Sequence, residues 1–236
     1  MHIVSRTNRG LSANTNEDCL LIRQLDTGVQ VLLIADGLGG HPGGEVASSL
    51  VCQHIENQPT QRFTDNLEPL LVEISEAIIH HGSHHPTIDG MGSTATLAVV
   101  NGDTIRWAHV GDSRLYHFSG NNLQRITRDQ TLARQAYEHG EISFDEIRGH
   151  QLNHVLEQCL GEDEVEPESG AFCWQADNIL LLSTDGLHDM MEDTEILAIL
   201  QRIIDIDVKA DLLVDKALEA GGRDNISLIL AGYRKP

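Results

Sequence analysis

Basic residues are scarce in this chain. Lysine and arginine number 16 against 36 aspartates and glutamates, a formal net charge of −20. A surface of that sign repels nucleic acid and anionic membrane, which both attract basic patches, so neither class of partner is expected. No window approaches the roughly 18 apolar residues of a membrane span, and the start, Met1 to Arg6, has no long apolar stretch. The four cysteines (Cys19, Cys52, Cys159, Cys173) lack CxxC spacing and read as reduced thiols of a cytosolic protein. GxGxxG, GxxxxGK[ST] and GxSxG are all missing, and no Cys has an obvious His partner nearby. Chemistry through a metal-activated water therefore fits better than covalent catalysis. The expectation is a soluble cytoplasmic protein, with nothing demanding more than a monomer.

What the chain does contain is a repeated phrase. Leu32-Leu33-Ile34-Ala35-Asp36-Gly37-Leu38 and Leu181-Leu182-Ser183-Thr184-Asp185-Gly186-Leu187 are both apolar, strand-like runs ending in Asp-Gly. Asp224 stands just before the apolar run Ile226 to Ala231, and Asp18 just ahead of Cys19 to Ile22. Either Asp-Gly alone reads equally well as a type I′ hairpin turn. Carboxylates placed repeatedly at strand ends, however, suit hard divalent cations such as Mg²⁺ and Mn²⁺, which take oxygen ligands.

At 236 residues the chain fits one domain, 1–236. Strands are expected at Cys19 to Ile22, Val29 to Ala35, Thr94 to Val100, Ile105 to Val110, Leu115 to Phe118, Ile179 to Ser183 and Ile226 to Ala231, with turns at 26–28, 101–103 and 120–122. Helical spacing covers Glu45 to Asn57, Leu67 to His80, Gln130 to Arg148, Thr194 to Ile203 and Lys209 to Ala220. Strands joined by short turns imply antiparallel pairing, so the fold class is α+β, an α/β/β/α sandwich of two antiparallel sheets flanked by helices.

The first Asp-Gly continues into a glycine-rich loop, Asp36 to Glu45, that lacks Lys and Arg and so suits a cation through Asp36 and the Gly37 carbonyl. In His109-Val110-Gly111-Asp112-Ser113-Arg114, Asp112 is either a further ligand or a partner for Arg114. His80, His81, His84 and His85 could bind borderline metals, but without an acidic or Cys companion they read as a solvated helix end.

Together these residues resemble the PPM (PP2C-like) metal-dependent serine/threonine protein phosphatases in their compact bacterial form. The motifs are Asn16-Glu17-Asp18, Ala35-Asp36-Gly37-Leu38-Gly39-Gly40-His41, Gly92-Ser93-Thr94, Val110-Gly111-Asp112-Ser113-Arg114, Ser183-Thr184-Asp185-Gly186-Leu187 and Gly222-Arg223-Asp224-Asn225, in the family's order and spacing. The resemblance implies two Mn²⁺ or Mg²⁺ ions in a cleft at one end of the sandwich, and a water between them that hydrolyses phosphoserine and phosphothreonine on proteins. Asp36 would bridge the ions, Asp185 and Asp224 would complete one, and the Gly37 carbonyl would serve the other. Asp18 and Glu17 would act largely through waters, Asn225 beside them, while Asp112 with Asp185 would hold a possible third ion. A flap beside the cleft is implied at about 127–160, and His41 is the nearest candidate proton donor. Substrates would be proteins phosphorylated by a Ser/Thr kinase.

One position departs from the pattern: Ala13 stands where the family usually carries a phosphate-gripping Arg. Loss of that charge-assisted contact weakens substrate binding unless Arg6 or Arg9 compensates. The alternative is a phosphoprotein-binding or regulatory module with weak turnover.

Overall fold

The computed structural model describes residues 1–26, 28–40 and 42–232; Thr27, in the expected turn at 26–28, and His41 lie outside them. Two antiparallel five-stranded sheets stack face to face. The first runs β1 (His2–Asn8), β10 (Ile226–Gly232), β9 (Ile179–Ser183), β6 (Arg114–Ser119), β7 (Asn122–Arg125). The second runs β2 (Asp18–Gln24), β3 (Gln30–Asp36), β4 (Ala95–Asn101), β5 (Thr104–Val110), β8 (Glu168–Cys173). Helices α1 (Gly44–Glu56) and α2 (Glu68–Ser83) cover the second sheet, and α5 (Asp193–Leu200) and α6 (Ile206–Glu219) the first. The short α3 (Leu132–Glu138) and α4 (Asp185–His188) lie at the loops.

Alternation along the central strands explains the layers. Val31, Leu33 and Ala35 of β3 pack toward α1 and α2, while Leu32 and Ile34 face the opposite sheet. In β10, Leu228 and Leu230 meet α5 and α6, and Ile229 and Ala231 fill the space between sheets. Strands apolar on both faces read as unbroken hydrophobic runs, which is how the sequence presents them. Burying a side chain such as Leu33 contributes roughly 1.5–3 kcal/mol.

Three strands depart from expectation, and all lie at sheet edges. Beyond the expected set are β1, β7 and β8, with β7 occupying part of the expected turn at 120–122. An edge strand pairs on one side only, and β8 alternates half-buried with exposed residues without an apolar run. The helix expected over 130–148 shrinks to α3, followed by exposed chain and a 3-10 turn at Phe144–Glu146. α5 stops at Leu200, leaving Ile203 99% exposed.

Candidate metal centre

Antiparallel order brings one end of every central strand to the same place. Asp36 ends β3 and Asp18 begins β2, and the two are paired across the ladder. Asp185 follows β9, Asp224 precedes β10, and Asp112 lies in the turn from β5 to β6. Five aspartates separated by up to 206 residues of sequence thus ring one cleft at the end of the sandwich.

The backbone around them is fixed. Asp36 donates its amide to Thr94 Oγ1 (3.0 Å), and its carbonyl accepts from the Thr94 amide (2.8 Å) and Ser93 Oγ (2.9 Å). Asn225 holds the 9–17 loop against the site: its Nδ2 donates to the carbonyls of Arg9 (2.9 Å) and Thr15 (3.0 Å), and its Oδ1 accepts from the Glu17 amide (2.7 Å). Thr184 Oγ1 donates to Asp18 Oδ2 at 3.1 Å, linking the two sheets at the cleft.

Neither Asp-Gly is a type I′ turn, because that turn needs positive φ and Gly37 and Gly186 do not have it. Each glycine is required by close approach instead. A Cβ on Gly37 would lie 2.1 Å from the Gly44 carbonyl oxygen, and one on Gly186 would lie 2.1 Å from that of Asn225. The first contact folds the glycine-rich loop under Asp36; the second presses the start of α4 onto the strand that follows Asp224.

Electrostatically the cluster is unbalanced. Burial, reinforced first by Asp18 and then by Asp185, holds the Asp36 carboxyl well above the usual range. Burial and then Asp112 do the same to Asp185. Burial pushes Asp18 and Asp112 each up to about 7. As whole residues these aspartates are only half-buried, yet individual oxygens are sealed off. Asp18 Oδ1 and Asp185 Oδ1 have no solvent access and no hydrogen-bond partner. None of the five aspartates forms an ion pair with Lys or Arg among the described residues. Arg114, the sequence alternative for Asp112, pairs with Asp129 (Nη2–Oδ2 2.6 Å, Nε–Oδ1 2.9 Å). Unpaired buried carboxylate is costly, and an all-oxygen donor set with orphaned oxygens fits hard divalent cations.

The remaining expected residues divide. Glu17 sits at the rim, its carboxyl raised by burial and then by Glu45 and Asp224. Asn225, beside Asp224, clamps the 9–17 loop to the cleft. His41 lies outside the described residues. Of the two arginines, Arg6 is committed to Asp211 (2.6 Å) on α6, whereas exposed Arg9 donates from Nη1 to the Asn14 carbonyl (3.2 Å), immediately beside Ala13.

Two residues of the cleft escaped the sequence. His154 and Asp189 join Asp185 with ligand atoms all within 4.8 Å of one another, and His154 Nδ1 lies 3.1 Å from Asp189 Oδ2. Asp189 is four residues from Asp185 across α4, a spacing that places both on one side. Nothing local marks His154. The stretch carrying it is anchored at both ends to the cleft: Gln130 exchanges hydrogen bonds with Gly111, and Leu160 pairs with Ser93.

A family model described as Protein phosphatase 2C matches residues 11–219. The serine/threonine phosphatase stp of Listeria welshimeri is 31% identical over 239 residues, covering 98% of this chain and 95% of that relative. Among solved structures, a bacterial serine phosphatase superposes with a TM-score of 0.92 at 29% identity, over 100% of this chain and 99% of its own. The catalytic domain of the serine threonine protein phosphatase PstP, in complex with two manganese ions, does so at 0.84 and 31% identity, covering 97% and 96%. In the described residues no helix is long and apolar enough to cross a membrane.

Proposed function

The chain belongs to the protein phosphatase 2C family, and from that membership we propose one reading of its cleft: a metal-dependent serine/threonine protein phosphatase in which the aspartate ring holds Mn²⁺ or Mg²⁺. The observation that carries it is the convergence of Asp18, Asp36, Asp112 and Asp185 with two orphaned oxygens. Asp36 would be shared by two ions, Asp185 and Asp224 would complete one, and the Gly37 carbonyl would serve the other. When bound, such ions supply an acidified water and neutralise charge on a phosphate monoester.

The chain's own residues do the rest. Thr94 and Ser93 fix the backbone of Asp36 and Thr184 holds the Asp18 carboxylate, so little reorganisation is needed as charge develops. Arg9, beside Ala13, takes the substrate phosphate; the guanidinium nitrogens not engaged by Asn14 supply the charge-assisted donors. Asp189 and His154 join Asp112 and Asp185 as the setting for a third ion. Residues 127–160 act as a flap beside the cleft, presenting the exposed apolar side chains Phe144, Leu152 and Val155 to a phosphoprotein. Its substrates would be products of a Ser/Thr kinase, met by a monomeric enzyme.

The test is phosphate release from a phosphothreonine peptide. Mn²⁺ should be required, and Asp36→Asn should abolish release. Arg9→Ala should raise KM with little change in kcat. Release that persists in EDTA would overturn the assignment.

A further inference from the structure

The histidines at the end of α2 are unexplained by the phosphatase site. In the structure they form two pairs one helical turn apart. His80 and His84 have ring centroids 4.4 Å apart, tilted by 41°, and His81 and His85 have theirs 4.3 Å apart, nearly parallel at 18°. His84 caps α2 and His85 lies just past it, so each i, i+4 pair spans the helix end with its rings in contact, an arrangement that suits chelation of a single ion by two imidazoles.

The hydrogen bonds choose the tautomer. Nδ1 of His84 lies 2.8 Å from the His80 carbonyl oxygen, and Nδ1 of His85 lies 2.8 Å from the His81 carbonyl oxygen. A carbonyl only accepts, so both Nδ1 atoms carry the proton. In the neutral form of each ring the lone pair is then on Nε2. An imidazole whose other nitrogen donates to a backbone carbonyl is the usual state of a metal-ligating histidine, because the donation fixes the ring and raises its basicity. His80, His84 and His85 are exposed and His81 half-buried, so an ion can reach them.

We propose that the C-terminal end of α2 is a second cation site, in which His80 with His84 and His81 with His85 chelate a borderline divalent ion such as Zn²⁺. Its chemistry is the opposite of the aspartate cleft's. Imidazole nitrogen suits Zn²⁺, Cu²⁺ and Ni²⁺, whereas carboxylate and carbonyl oxygen suit Mg²⁺ and Mn²⁺. Each pair supplies two ligands, and solvent completes the coordination. The exposed ring of His80 and the half-buried ring of His81 turn to meet Nε2 of His84 and His85 on the ion, which leaves both Nδ1–carbonyl bonds in place.

The test is calorimetric titration of the whole, untagged chain with Zn²⁺ in excess Mg²⁺, which competes for the carboxylates of the cleft. Zn²⁺ should still bind. Asp36→Asn should leave that binding in place, and His84→Ala/His85→Ala, which breaks both pairs, should remove it. The loss should exceed the roughly 10–100-fold that removal of an outer-shell partner costs. Mn²⁺-dependent phosphatase activity serves as the folding control for the double variant and should be unchanged. A Cu²⁺ spectrum in the wild type should show nitrogen coupling that the double variant lacks. Zn²⁺ binding that disappears in Mg²⁺, or whose stoichiometry is the same in the wild type and in His84→Ala/His85→Ala, would overturn the proposal.

Discussion

Replacing Asp18 by Asn removes one charge from the aspartate ring while keeping its shape and an oxygen to accept from Thr184. Burial holds the Asp18 carboxyl up to about 7 in the cation-free fold, against about 3.9 in an unfolded chain. A gap of that size is worth on the order of 4 kcal/mol. Its sign follows from proton binding. Below about pH 4 the carboxyl is protonated in both states and costs nothing. As pH rises from about 4 to about 7 the unfolded chain ionises first, so the folded protein loses stability, and above pH 7 the loss is complete. In EDTA at pH 8, Asp18→Asn should therefore be more stable than wild type. For a chain of this length that corresponds to roughly 8–16 °C in Tm. At pH 4 the two should unfold together. With excess Mn²⁺ the order should reverse, because the wild type gains binding energy that the variant has lost. Unfolding followed by circular dichroism in urea or on heating reads all three conditions. An Asp18→Asn protein that is less stable than wild type in EDTA at pH 8 would refute the idea that unpaired carboxylates strain this cleft.

Other consequences are more local. Gly186→Ala places a Cβ 2.1 Å from the Asn225 carbonyl oxygen; the expected outcome is at least about 3 kcal/mol of destabilisation, read by urea unfolding, with Mn²⁺-dependent activity lost. Asp129→Ala leaves Arg114 buried without its bidentate partner and should cost roughly 3–5 kcal/mol in chemical denaturation. Arg114 holds the Asp129 carboxyl well below the usual range despite burial, so the stability it contributes is present above about pH 4 and lost only on further acidification. Leu33→Ala, fully buried between β3 and the helices, should cost about 2–5 kcal/mol without changing the Mn²⁺ requirement of the surviving folded enzyme.

The sequence is most legible where burial is greatest. Strands such as β3 and β10, apolar on both faces, announce themselves, and the aspartates at their ends mark the cleft directly. The edge strands β1, β7 and β8 do not, because a strand paired on one side tolerates polar residues and needs no apolar run. Each Asp-Gly phrase taken alone is ambiguous for a different reason. Their glycines answer backbone contacts with Gly44 and Asn225, partners 7 and 39 residues away that no local pattern reveals. Asp189 was within reach through its i+4 relation to Asp185. His154 was not, since it meets the cleft only through the fold of the 127–160 stretch.

Sharing of Asp36 between two hard cations is what the proposed chemistry depends on most. The most direct measurement is anomalous diffraction at the manganese edge from crystals soaked in Mn²⁺. Two peaks are expected on either side of the Asp36 carboxylate, one of them also touching Asp185 and Asp224. Peaks that avoid Asp36, or their absence from the cleft under conditions where Mn²⁺ supports phosphatase activity, would contradict it.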